Sequence, residues 1–149
     1  MEFKTPDSMK QEHEELHNYL HKAMNEPNKT GDAARIVAKI MHSHFIKEEE
    51  YATPPLGLLK ELSNGNVTKD MEAVLGLTQK LENDLPHMLD EHRQIVTALD
   101  KLKLAASEEN KLEYIEFAEK LKLHAQTEED IMYPAAILIG KYVKFKLGL

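Results

Sequence analysis

Histidine and glutamate one helical turn apart occur twice in this chain, as His44 with Glu48 and as His124 with Glu128. Residues i and i+4 share a helix face, so each pair can aim an imidazole nitrogen and a carboxylate at one point. Two further histidines, His13 and His92, fall on the apolar stripes of other segments. Four imidazoles and two carboxylates are costly to bury without a partner. Two metal ions answer that cost, each taking two His nitrogens, with each carboxylate bridging both. This nitrogen-and-oxygen donor set, with positions left open, suits iron or manganese redox chemistry and also admits zinc. A lone inward histidine is ordinarily a hydrogen-bonded core residue. Four at matched places, two of them with a carboxylate one turn on, point to metal.

The elements that must position these groups read as helices. Sparse Gly and Pro divide the chain into apolar-periodic segments at about 7–25, 33–52, 68–105 and 108–134. Asp7 or Ser8 is the expected cap of the first, Glu26 to Asp32 a loop, and Ser107 the cap of the fourth. Pro86 lies inside the third, where it either kinks the helix or starts a new one. The tail from Ile137 to Leu149 is apolar and basic, a short closing helix or a subunit contact. No segment alternates with a period of two. The expectation is a single all-α domain over 1–149, an up-down-up-down four-helix bundle.

The chain also repeats itself. Gln11-Glu12-His13 matches Asp90-Glu91-His92 at an offset of 79. His44 to Glu49, with Pro54 beyond, matches His124 to Glu129, with Pro134 beyond, at an offset of 80. A pseudo-twofold pair of helical hairpins accounts for both. The net charge of −7 argues against a nucleic-acid or anionic-membrane partner. The absence of cysteine excludes disulfides, thiolate nucleophiles and Cys-held clusters. With no signal-peptide pattern and no long apolar span, a cytoplasmic location is expected.

The pattern of His13, His44-x-x-x-Glu48, His92 and His124-x-x-x-Glu128, each pair followed by an acidic residue and Pro, resembles the hemerythrin-like (HHE cation-binding) family from about Met9 to Pro134. The resemblance implies a non-heme centre of two iron ions (Fe2+/Fe3+), oxo- or hydroxo-bridged and spanned by two carboxylates, with manganese or zinc as alternatives. It also implies a small ligand as partner: dioxygen, nitric oxide or peroxide. The family includes dioxygen carriers, oxygen or iron sensors and proteins of nitric-oxide stress. Carriers have a second His one turn after that of the third helix, where this chain has Val96, and use H-x-x-x-x-D in the fourth. The centre here is therefore expected to be more open than a carrier's. A fifth His would come from His17, one turn after His13, or from His87. His21 and His42 are expected at the surface, and Tyr133 in the core. Glu49 and Glu129 are expected to orient histidines or to face solvent rather than to bind metal.

Other readings exist. His13-Glu14-Glu15-Leu16-His17 is H-E-x-x-H, which on a helix would make a zinc hydrolase site with Glu14 as base. It leaves the H-x-x-x-E repeat unexplained, and no strand pattern follows to bind a substrate. A ferritin-like centre needs two Glu-x-x-His pairs, and only Glu14 with His17 qualifies. A metal-free helical interaction module would tolerate Leu at His44 or His124.

Overall fold

A computed structural model describes all 149 residues, and every regular element is helical. The elements are α1 (Asp7–Met24), α2 (Asn28–Lys47), a π-helical turn (Glu48–Ala52), a 3₁₀ turn (Pro54–Leu58), α3 (Leu59–Ser63) and a second 3₁₀ turn (Lys69–Ala73). Beyond these come α4 (Val74–Glu108), α5 (Leu112–Thr127), a second π-turn (Glu128–Met132) and α6 (Tyr133–Lys146). Four long helices, α1, α2, α4 and α5, pack against one another, and α6 lies along α4.

Each long helix changes what it buries along its length. On α2, Val37 and Met41 join one apolar cluster, with Leu16, Leu20, Leu99, Leu102 and Leu121. Beyond His44 and Glu48, Tyr51 belongs to a second cluster with Leu56, Met71, Leu81, Met88 and Ile139. The same order recurs on α4, where Met88 lies in the second cluster and Ile95 in the first, with His92 between them. The histidines and glutamates thus form a polar layer between two apolar ones. Both seal it from water.

Several boundaries differ from the sequence expectation. Asp7 is the first residue of α1 rather than its cap, the capping position being Pro6. α2 begins at Asn28, inside the expected loop. The cause is tertiary. The Glu109 carboxylate accepts hydrogen bonds from the backbone N–H of Thr30 at 2.8 Å and of Lys29 at 3.2 Å. That satisfies amides a helix N-terminus leaves free. Gly31 sits where a β-carbon would lie 1.8 Å from the Glu26 carbonyl oxygen, so the corner between α1 and α2 can close only on glycine. Ser107 lies in the last turn of α4, and the chain reverses at Asn110, whose φ is 57°. α4 runs unbroken through Pro86, whose ring faces solvent. The tail from Ile137 forms most of α6 rather than ending the bundle as a separate piece.

Candidate metal centre

The four histidines on apolar stripes, His13, His44, His92 and His124, are all buried, as are Glu48 and Glu128. Their donor atoms converge in two groups: His44, Glu48, His92 and Glu128, and His13, His124 and Glu128. The Nε2 atoms of His44 and His92 are 2.9 Å apart, and those of His13 and His124 are 3.1 Å apart. Each carboxylate straddles the two groups. Oε1 of Glu48 is 2.6 Å from His44 Nε2, while its Oε2 faces His13 Nε2 at 3.9 Å. Oε1 of Glu128 is 3.2 Å from His92 Nε2, while its Oε2 lies 3.3 Å from His124 Nε2 and 3.7 Å from His13 Nε2.

The far sides of three rings are fixed by carboxylates. Glu91 faces His44 Nδ1 at 3.4 Å, Glu129 faces His92 Nδ1 at 3.0 Å, and Glu12 is hydrogen-bonded to His124 Nδ1. An ionised carboxylate only accepts, so each of these Nδ1 atoms carries the hydrogen and each Nε2 presents a lone pair inward. At His44 and His92 two lone pairs therefore point at each other across 2.9 Å. The Tyr133 hydroxyl, 3.3 Å from one Nε2 and 3.1 Å from the other, can donate its single hydrogen to only one of them. Glu48 Oε2 and Glu128 Oε2 are buried with no hydrogen-bond partner. Inward lone pairs and orphaned carboxylate oxygens are what a cation satisfies, and this cluster could hold a metal ion.

The electrostatics of the protein groups alone carry the same strain. Burial and the neighbouring Glu128 push the Glu48 carboxyl well above the usual carboxylate range. Burial would raise Glu128 too, but contacts with Glu48 and with His124, His13 and His92 outweigh it and hold it low. Burial and the adjacent His92 lower the His44 ring. Burial would also lower the His124 ring; Glu128 and Glu12 overcome it and raise that ring. The Tyr133 phenol is driven far up by burial and by Glu48 and Glu128, which keeps it protonated.

The remaining histidines lie outside the cluster. His17 is exposed and packs edge-on to Phe45, with ring centroids 5.8 Å apart. His87, His21 and His42 are exposed. The H-E-x-x-H residues do not converge: His13 turns to His124 and Glu128, while Glu14 and His17 face solvent. Glu129 orients a ring, whereas its counterpart Glu49 is exposed and does not. Sequence reasoning gave no role to Glu12 and Glu91. The signal was the Glu-His dipeptide shared by both halves of the chain. Tyr133 is a core residue as expected, and its hydroxyl also reaches the centre.

A scan against protein-family models, a search of the curated proteins and a search of the solved structures each found no match.

Proposed function

We propose that this chain is a hemerythrin-like protein whose buried cluster holds two iron ions and reacts with, or senses, a small ligand such as dioxygen, nitric oxide or peroxide. The observation that carries this reading is the shared carboxylate: Glu128 belongs to both groups of donor atoms, and each oxygen of Glu48 and Glu128 faces a different pair of histidines. On this reading His44 and His92 hold one ion, His13 and His124 the other, and Glu48 and Glu128 span them. The hairpins α1–α2 and α4–α5 are then two related halves of an up-down-up-down bundle. A reduced two-iron centre supplies the electrons for such chemistry. Glu12, Glu91 and Glu129 keep the Nε2 lone pairs directed inward, and the apolar layers on either side limit entry of bulk water.

The test is metal content and absorption of untagged protein reconstituted with ferrous iron and exposed to air. About two irons per chain, with the near-ultraviolet absorption of a coupled ferric pair, are expected. One zinc and a featureless spectrum, or no metal after reconstitution, would overturn the proposal. So would a reduced protein whose spectrum is indifferent to all three small molecules.

A further inference from the structure

The two sides of the cluster are not alike. The residue directly after each π-turn is Tyr133 on one side and Thr53 on the other. Tyr133 fills its place with a phenol whose hydroxyl touches His44 and His92. Thr53 is short, and its hydroxyl is engaged elsewhere, with the Glu48 carbonyl at 3.1 Å and the Thr5 hydroxyl at 2.7 Å. Space remains beside it. A cavity of about 1040 Å³ is bounded by Thr53, His13, His17, Phe45, Glu49 and Lys10. His13 is also the one ring of the four whose Nδ1 has no carboxylate behind it. Glu49, which could have filled that role, stands on the cavity wall instead.

We infer that an external ligand reaches the centre on the His13–His124 side, through this cavity, and that Tyr133 closes the His44–His92 side. The inference rests on the metal centre proposed above. The cavity chemistry also selects the ligand. Phe45 and Ile46 are the only apolar residues among the fourteen that line it, and charged groups of both signs make up most of the rest. Such a wall stays wet and favours a small hydrophilic ligand, hydrogen peroxide or a small anion, over an apolar gas. The opposite side offers a contrasting groove, lined by Leu85, Leu89, Ile137 and Leu138 outside Tyr133, which is the route an apolar gas would favour.

The test is an azide titration of the iron-loaded, oxidised full-length chain, followed by its charge-transfer absorption and with iron per chain measured for every variant. Thr53→Phe narrows the cavity next to the centre. His17→Trp narrows it from an exposed position that the fold does not depend on. Each is expected to weaken azide binding by at least about ten-fold at unchanged iron content. Leu138→Trp, exposed on the opposite groove, is expected to leave it unchanged. Azide binding that ignores His17→Trp but weakens with Leu138→Trp would overturn the assignment and move the entrance to the apolar side. Wild-type iron uptake with azide binding indifferent to both cavity substitutions would overturn the assignment alone. A wild-type chain that takes up no iron would overturn the centre itself, and the entrance with it.

Discussion

The Glu129 carboxylate touches no inward-facing atom, yet it decides which nitrogen of His92 carries the hydrogen. Glu129→Gln can turn its amide to accept from or to donate to that ring, so the ring's tautomer and tilt are no longer fixed. Iron affinity is expected to fall about 10- to 100-fold, measured by competition with a chelator, while iron per chain at saturation stays the same. At this scale the sequence was a good guide to atoms that face inward. His44 with Glu48 and His124 with Glu128 were legible because helix geometry alone puts i and i+4 on one face. Glu12 and Glu91 were not, because each acts from one residue before a histidine, about 100° around the helix, on a ring carried by a neighbouring helix. Where that neighbour stands is a tertiary fact. The reach of the Tyr133 hydroxyl was hidden for a related reason: the π-turn before it alters the phase from which its direction would be read.

Helix ends show the same division. The middle of each long helix could be read from its apolar period, whereas α2 starts where Glu109 and Gly31 allow, and neither signal is local. Gly31→Ala tests the corner directly. Helix propensity favours alanine by about 1 kcal/mol, but a β-carbon 1.8 Å from the Glu26 carbonyl forces backbone to move. The expected outcome is a net loss of about 1–3 kcal/mol, read from chemical denaturation. The Glu109 cap makes a prediction in pH. Hydrogen bonds from Thr30 side chain and backbone hold this carboxyl below the usual carboxylate range. A depressed folded value means the cap stabilises the protein above the unfolded carboxylate range of about 4.3, and that this is lost as pH falls through that range toward the folded value. Glu109→Ala should therefore melt earlier than the parent at neutral pH. The gap between the two melting temperatures should close as the solution is acidified.

For the molecule as a whole, the polar layer is both the weakest part of the core and, once loaded, its tie. Glu48, Glu128 and the four rings occupy interior space that leucines would fill more comfortably, and they connect α1, α2, α4 and α5 at one level. An ion bound only by the native state stabilises by mass action, about 4 kcal/mol when free metal exceeds its dissociation constant a thousand-fold. His44→Leu is expected to take up less iron and to melt below the iron-loaded parent. Without iron it should melt no lower than the metal-free parent, because a buried lone pair has been removed. Loaded and stripped samples of both proteins, compared by calorimetry, check this. A His44→Leu protein as stable as the loaded parent would favour the metal-free module. The two π-turns carry one more consequence, which concerns length rather than chemistry. Glu50 and Asp130 lie within them and face solvent, so exchange of either side chain costs little. Neither position can be dropped. A π-turn holds more residues per revolution than the helix around it, so one deletion would let the helix close regularly and rotate every later residue of it by about 100°. Tyr133 and Ile139 would swing off the core, which makes these two exposed acidic stretches the places where the chain tolerates new letters but not a new count.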